Sequence, residues 1–298
     1  MKRIALLSRW GEGYGMGHVQ RICSLYAFLE LRGIEPVIIS GDAIPSDISA
    51  RKFRKTEYMS DSFDLVIRDM RDSSEQDISA LKRKAPVVVV DDIGEGRKKA
   101  DLAIDLLPNL VFPFEKKSAF PFIYGYNFSR EIELFENSDI RKTIDFCVYA
   151  GAVKDPAYEE FLRRCLPDGA TAVILNGGKM TGVNIEQRLL EGMSYPLPLL
   201  CSRNLISHFG ISLFEGALCG CRLYAVNPSA YHSDLCSAAQ PMIHIENFGV
   251  YPQIDSQQMK NRLKEALAGR TRAVDIGHVK ESIRSGLDLF YDRIKPFI

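Results

Sequence analysis

The stretch Ser8–Arg21, SRWGEGYGMGHVQR, joins an apolar run at Arg3–Ser8 to a helical pattern at Val19–Arg32. Four of its residues are glycines, which let the backbone turn sharply and come close to a ligand. The apolar run predicts a β-strand, so the glycines fall where a strand passes into a helix. In open α/β sheets, ligands bind beyond the carboxyl ends of the strands, where this turn falls. The stretch therefore predicts an α/β domain with a ligand-binding turn.

The same order of short apolar run, turn and helical stretch repeats along the chain. The run Val87–Val90 has no alternation, which is typical of a central strand buried on both faces. Further strands are predicted at Pro36–Ser40, Leu65–Ile67, Ala103–Leu107, Phe146–Ala150, Ala172–Leu175, Leu205–His208, Leu223–Val226 and Met242–Ile245. Helices are predicted at Ser74–Lys84, Ala157–Cys165, near Ile185–Gly192, and at Ile211–Cys219, Ser256–Ala268 and Val279–Ile294. This alternation indicates parallel sheets, and we predict two Rossmann-like domains, 1–125 and 143–298, joined by a linker at 126–142.

The composition restricts the class of protein. The 298 residues are enough for about two domains, and 38 basic residues balance 38 acidic ones. This balance argues against a nucleic-acid partner that is bound through bulk charge. The seven cysteines are expected to be reduced, and neither a signal peptide nor a membrane span is expected, so we predict a cytoplasmic protein. No spacing typical of metal ligands occurs, so neither a metal nor another cofactor is predicted.

His18 is the candidate catalytic residue of the glycine-rich turn. The turn lacks the Gly-Lys-Ser/Thr ending of a phosphate-binding loop, and a dinucleotide GxGxxG pattern would need glycine at position 18. An imidazole in the first turn of a helix feels the positive end of the dipole, which favours its neutral, basic form. It could take a proton from water or a sugar hydroxyl, or it could merely cap the helix or bind a loop. Arg21, one turn along, could contact a phosphate or form an ion pair inside the domain.

Two carboxylates, Asp91 and Asp92, follow the valine run at the same end of the predicted sheet. Adjacent strand residues point to opposite faces, so these two are not expected to form a glycosidase acid–base pair. One of them could bind sugar hydroxyls or hold the glycine loop, or it could be a structural strand end. In the second half, His208 ends a predicted strand and is either a site residue or a packed one.

The segment Gly15–Arg21, GMGHVQR, resembles the GxGHxxR turn of the enzymes that hydrolyse UDP-linked diacetamido-trideoxy sugars in pseudaminic acid synthesis. These hydrolases are similar to MurG-type glycosyltransferases and share their GT-B fold. The resemblance extends to Val90–Asp92, to Ala100–Leu102 and, in the second half, to Ile206–Glu215. It implies an α/β, GT-B-like fold with two Rossmann-like domains whose parallel sheets face a central cleft.

The resemblance also implies roles for individual residues. His18 would be the catalytic base or an orienting group, and Glu215 would contact the ribose of the nucleotide. A carboxylate suits a ribose because it can accept two hydrogen bonds at once. Substrate contacts are predicted at Gly15, Gly17, Arg21 and Asp92, and nucleotide contacts at Gly151, Gly210, Ile211, Ser212 and Glu215.

One segment departs from the family pattern. Where the family has a Gly-Gly-Ser-Asp turn, this chain has GAVKDP at Gly151–Pro156. The β-branched Val153 would bring side-chain bulk to the expected diphosphate position, and an extra residue displaces Asp155. Lys154 could compensate as a phosphate cation, and Asn176–Gly178 is either another flexible binding turn or an ordinary surface loop.

Three functions are compatible with these residues. The first is an inverting hydrolase that releases nucleoside diphosphate from a nucleotide-linked amino or deoxy sugar, with UDP favoured, in surface-glycan or nonulosonic acid biosynthesis. The second is a GT-B glycosyltransferase, in which His18 deprotonates an acceptor hydroxyl. In that case the basic run Arg51–Lys55 is a candidate membrane contact, although such runs are usually solvated faces. The third is a non-catalytic protein that binds a nucleotide sugar.

Overall fold

The computed structural model describes residues 2–9, 17–40, 53–54, 62–112, 124–135, 138–151, 153, 155–176, 179–267 and 274–298. The chain divides into two compact units, one formed by Met1–Tyr126 together with Ile283–Ile298 and the other by Asn127–Ser282. The segment predicted as a linker therefore lies almost wholly in the second unit. The end of the chain, which the sequence assigned to the second domain, returns to the first unit.

The first unit contains a six-stranded parallel sheet in the order β3-β2-β1-β4-β5-β6. Its strands are β1 (Arg3–Ser8), β2 (Glu35–Ile39), β3 (Phe53–Arg54), β4 (Leu65–Asp69), β5 (Val87–Val90) and β6 (Leu102–Ile104). Helix α1 (Gly17–Leu31) follows β1, and helix α2 (Glu75–Lys82) follows β4. All four valines of β5 are buried, which confirms the prediction of a strand covered on both faces.

The second unit contains another six-stranded sheet, in the order β12-β11-β10-β7-β8-β9. Its strands are β7 (Ile144–Gly151), β8 (Ala172–Asn176), β9 (Lys179–Val183), β10 (Ser202–Ser207), β11 (Arg222–Asn227) and β12 (Ile245–Val250). Its helices are α3 (Tyr126–Ile132), α4 (Pro156–Cys165), α5 (Leu197–Cys201), α6 (Ile211–Leu218), α7 (Ala230–Ala239) and α8 (Ser256–Ala266). The last helix, α9 (Ile276–Ile294), contains the boundary between the two units.

The second sheet is not wholly parallel, because β8 and β9 run antiparallel with Asn176 opposite Lys179. Asn176 and Lys179 are therefore opposite each other in a β-hairpin, and Gly177 and Gly178 of the predicted flexible turn lie outside the described residues. Antiparallel strands can be joined by two residues, whereas parallel strands need a long crossover. The prediction of an all-parallel second sheet is thus wrong at this edge.

Two other predicted elements of the second unit are also wrong. The helix expected near Ile185–Gly192 is replaced by a short 3-10 turn, and the strand expected at Met242–Ile245 begins only at Ile245. The backbone amides of Met242 and Ile243 both donate to the carbonyl of Ala239, at 2.8 and 3.1 Å. These residues therefore close the end of α7, a helix that the sequence reasoning missed.

The end of α9 packs on α1 through a cation held between two aromatic rings. The Arg32 guanidinium lies 4.4 Å from the ring centre of Phe28 and 4.7 Å from that of Tyr291, and it forms an ion pair with Asp288. Cation–π contacts contribute about 0.5–1 kcal/mol each at exposed sites. This cluster fastens the last helix to the first unit. None of the helices in the described part of the chain is long and apolar enough to span a bilayer.

Candidate functional site

The carboxyl ends of β1 and β4 position the first group of candidate residues. These strands are neighbours in the parallel sheet, and Ser8 pairs with Asp69 at their last position. Helix α1 begins at Gly17, so His18 lies in its first turn, as predicted. The turn itself, Gly11–Met16, lies outside the described residues, and with it the predicted substrate contact Gly15.

His18 is bonded to a buried carboxylate. Its Nδ1 lies 2.6 Å from Oδ1 of Asp69, and the exposed fractions of the two side chains are 10 % and 1 %. Nη2 of Arg21, a donor, also lies 3.1 Å from Nδ1, but the carboxylate is nearer and an ionised carboxylate can only accept, so Nδ1 carries the hydrogen when the ring is neutral. The lone pair is then on Nε2, for which no described residue provides a hydrogen bond. This tautomer is the one that a general base requires.

Arg21 binds two carboxylates from inside the domain. Its Nε and Nη2 donate to both oxygens of Asp69, at 3.1 and 2.6 Å, and its Nη1 donates to Oδ2 of Asp91 at 2.5 Å. Burial by itself disfavours the charged forms, but the two carboxylates outweigh it and raise the pKa of Arg21. Burial by itself would raise the pKa of Asp69, but the charges and hydrogen bonds of Arg21 and His18 outweigh burial and lower that pKa. Asp69 is therefore an anion at neutral pH.

The predicted substrate contacts Arg21 and Asp92 lie in the interior. The Arg21 side chain is 1 % exposed, so the ion-pair alternative applies to it rather than contact with a phosphate. The Asp92 side chain is fully buried and accepts from the amides of Ser73 and Gly94 and from the guanidinium of Arg68. Both residues form ion pairs inside the first unit, and their contact with a substrate stays a prediction.

Sequence reasoning missed Asp69, because the predicted strand Leu65–Ile67 ends two residues before it. The signal was nonetheless present, since an acidic residue closes the strand beside the one that leads into the glycine-rich turn.

Asp91 has a structural role as well as an electrostatic one. It has a positive φ of 51°, and its Oδ1 accepts from the amides of Leu106 and Leu107 at 2.7 and 2.9 Å.

The second group of candidate residues surrounds the start of α6. Gly210 precedes this helix without a side-chain cap, and a Cβ built on it would meet nothing within 4 Å. The first amides of α6, beginning at Ile211, are therefore not covered by a capping side chain, and such amides favour anions. Ser212 is held by a hydrogen bond of 2.9 Å to the hydroxyl of Ser207, which in turn donates to the carbonyl of Tyr149.

Gly151 and His208 lie side by side at the ends of β7 and β10. Gly151 has a φ of +67°, and a Cβ built on it would overlap Cε1 of the imidazole. Burial, followed by the nearby His232, lowers the pKa of His208 to about 4, so its ring is neutral at pH 7. Its Nδ1 is buried and has no hydrogen-bond partner among the described residues. A buried nitrogen without a partner is uncommon in proteins.

The departing segment after β7 has a structural explanation. Val153 packs against the hydrophobic core, so its side-chain bulk is not directed at a phosphate. Asp155 caps α4 by accepting from the amide of Ala157 at 2.9 Å. Ala152 and Lys154 lie outside the described residues, and the role suggested for Lys154 stays a prediction.

Glu215, the predicted ribose contact, is 3 % exposed and accepts a hydrogen bond from the hydroxyl of Tyr195. Tyr149 lies beside Tyr195, with ring centres 6.1 Å apart. Burial and then the charge of Glu215 raise the pKa of Tyr149. The carboxylate of Glu215 thus already binds a phenol hydroxyl, in the way that it would bind a sugar hydroxyl.

Comparison with known proteins gives a consistent fold. No protein-family model and no curated protein sequence matches the chain. Among solved structures, the calicheamicin glycosyltransferase CalG4 is similar, with 13 % identity, 99 % of this chain and 98 % of that one covered, and a TM-score of 0.55. The spinosyn rhamnosyltransferase SpnG with thymidine diphosphate has 11 % identity, 99 % and 100 % coverage and a TM-score of 0.57. The S. aureus MnaA–UDP co-structure has 11 % identity, 100 % and 98 % coverage and a TM-score of 0.56. With its two Rossmann-like α/β units, the chain has the GT-B fold, which confirms the predicted fold class.

Proposed function

We propose that the chain is an enzyme that cleaves the bond between a sugar and the diphosphate of a nucleotide sugar, with His18 as the general base. The observation that carries this proposal is the hydrogen bond from Nδ1 of His18 to Asp69, which leaves the lone pair on Nε2. His18 lies in the first turn of α1, directly after the predicted glycine-rich turn.

In the proposed reaction, an oxygen nucleophile attacks the anomeric carbon while the bond from that carbon to the diphosphate oxygen breaks. The nucleophile loses its proton to Nε2 of His18, and the electron pair of the broken bond leaves with the nucleoside diphosphate. Asp69 stabilises the imidazolium that forms, because it is anionic and already bonded to Nδ1. General-base help of this kind contributes typically about 10²–10⁴-fold to a rate.

The second unit would bind the nucleotide. The uncapped start of α6 at Gly210–Ser212 offers amides to a diphosphate, and Gly151 leaves space in which His208 approaches the same end of the sheet. Structures of similar fold support this part, because SpnG was solved with thymidine diphosphate and MnaA with UDP. UDP is our favoured nucleotide.

The nucleophile distinguishes two candidate functions. The GMGHVQR segment supports water, hence a hydrolase acting on a UDP-linked amino or deoxy sugar. The glycosyltransferases among the structures of similar fold support an acceptor hydroxyl, hence a transferase. The hydrolase is our first candidate, because its supporting motif includes His18 itself.

The test is to incubate the protein with UDP-, GDP- and CMP-sugars and measure released nucleotide, with and without sugar or lipid-linked acceptors. Release without an acceptor supports the hydrolase, and release that depends on an acceptor supports the transferase. His18→Ala should abolish either activity, whereas His278→Ala, which removes an exposed histidine of α9, should not. Binding of nucleotide sugar without turnover under all conditions would overturn the proposal and leave a binding protein.

A further inference from the structure

We propose that Arg21 is a positioning residue that sets the pH range in which His18 can accept a proton; this inference rests on the proposed role of His18 as a base. The two residues are one turn apart on α1 and share the same carboxylate. Oδ1 of Asp69 lies 2.6 Å from Nδ1 of His18 and 2.6 Å from Nη2 of Arg21.

The geometry gives Arg21 an orienting role. Its planar guanidinium binds both oxygens of Asp69, which fixes the plane of the carboxylate as well as its position. Asp69 can therefore present Oδ1 to His18 in only one direction. The imidazole is held in turn, with Nε2 as the nitrogen that remains for a substrate proton.

The charges give Arg21 a second role. Three buried charged groups form one series of contacts that ends at His18, because Asp69 binds His18, Arg21 binds Asp69, and Asp91 binds Arg21. The half-buried Arg71 faces Asp91 and Arg21 from the loop after β4, and burial lowers its pKa. Without Arg21, the two carboxylates would lose the cation that both of them bind. Protonated His18 would then bond to Asp69 without a second cation on the same carboxylate, and it would keep a proton to a higher pH.

A base that already holds a proton cannot accept another, so the loss of Arg21 should move the activity to higher pH. Arg21 carries the same charge as protonated His18, and its Nη2 lies 3.1 Å from Nδ1; a charge at this distance typically shifts a titration by about 1–3 pH units. If Arg21 only oriented Asp69 and had no electrostatic effect on His18, its loss would lower activity by the same factor at every pH. Removal of the Asp91 charge should compensate for removal of the Arg21 charge, because Asp91 is the other carboxylate that Arg21 binds.

The experiment measures kcat/KM against pH for the wild type and for Arg21→Met, Asp91→Asn and the double variant. We expect Arg21→Met to raise the pH of half-maximal activity by about one unit or more, and the added Asp91→Asn to bring it back. The same shifts should appear in an NMR titration of the His18 ring, which needs no turnover.

The outcomes separate the two proposals. If His18→Ala stays fully active while the ring titration of His18 shifts in Arg21→Met, the proposed function fails and the electrostatic link stands. If the His18 titration and the activity profile keep their midpoints in Arg21→Met, the inference about Arg21 is overturned. If Arg21→Met does not fold, Arg21→Lys replaces it, because lysine keeps the charge but cannot bind both oxygens of Asp69 through one planar group. A pH midpoint and a rate equal to those of the wild type in Arg21→Lys would contradict the orienting role.

Discussion

Gly151 and His208 occupy complementary space, since the imidazole fills the volume that a side chain at position 151 would need. Gly151 closes β7, and His208 immediately follows β10, its neighbour in the sheet. Gly151, which the sequence indicates as a nucleotide contact, is therefore also needed for packing within the protein, because a side chain at this position would overlap the His208 ring. It admits a ring whose buried Nδ1 has no partner among the described residues.

Gly151→Ala should destabilise the second unit by more than the usual cost of a left-handed alanine. That conformation costs about 1–2 kcal/mol, and overlap with the His208 ring adds about 1–3 kcal/mol. Gly169→Ala is the matched control, because Gly169 has a φ of +78° and nothing within 4 Å of the added carbon. Urea unfolding should show the larger loss for Gly151→Ala; equal losses would contradict the steric relationship.

Asp69→Asn should lower kcat by at least about 100-fold with little change in KM. The amide can donate to Nδ1 of His18, which would place the hydrogen of a neutral ring on Nε2 and remove the base. Asp64→Asn, which changes a carboxylate paired with Lys2 immediately before β4, is a control at the opposite end of that strand and should leave kcat unchanged. Retention of full activity in Asp69→Asn, with an unchanged circular dichroism spectrum, would exclude a catalytic role for this pair.

Tyr195→Phe should strengthen UDP binding by about fivefold, equivalent to one hydrogen bond of about 1 kcal/mol. The substitution removes the hydroxyl that donates to Glu215 and with it one competitor for the proposed ribose contact. Glu215→Gln should weaken binding in either background. Tyr158→Phe removes a buried hydroxyl bonded to the carbonyl of Val226 and should affect stability but not affinity. Calorimetric titration with UDP measures the wild type and the four variants, and weaker binding by Tyr195→Phe would contradict the ribose role of Glu215.

The stability of the second unit should fall as the pH is lowered from about 6.5 towards 4, because of His208. Its folded pKa is lowered to about 4, so in this window the unfolded chain binds a proton that the folded chain does not. Stability therefore rises with pH across the window and decreases as the pH falls. The contribution is about 2 kcal/mol between pH 7 and pH 5.

His208→Asn should remove that part of the pH dependence, whereas His278→Asn, at an exposed position, should keep it. Urea unfolding at pH 7 and pH 5 gives the comparison. If wild type and His208→Asn lose the same free energy of unfolding between these pH values, the burial of a neutral His208 is contradicted.

The sequence predicts those parts of the fold that depend on local patterns. The run Arg3–Ser8 and the four valines of β5 form strands with the predicted bounds, because uninterrupted apolar runs of this length fit buried parallel strands. The hairpin partner β9 has exposed and half-buried residues and no such run. Its pairing depends on β8 rather than on its own pattern, so it escaped prediction.

The candidate site likewise has residues that the sequence predicts and residues that depend on three-dimensional contacts. His18 is predictable, because its position after a strand and a glycine-rich turn is visible in the sequence. Its partner Asp69 lies 51 positions away and depends on the register that pairs it with Ser8. The interior position of Arg21 depends on two carboxylates from different strand ends. The sequence left both readings of Arg21 open, and three-dimensional contacts decide between them.

The return of Ile283–Ile298 to the first unit has a consequence for how the protein is made. On a ribosome, the strands and helices of the first unit emerge early, but Arg32 must wait for Asp288 and Tyr291 before its cluster can form. The first unit can therefore reach its final packing only after the segment Ile283–Ile298 has been translated. A nonsense codon just before this segment would damage the unit whose other residues were synthesised first.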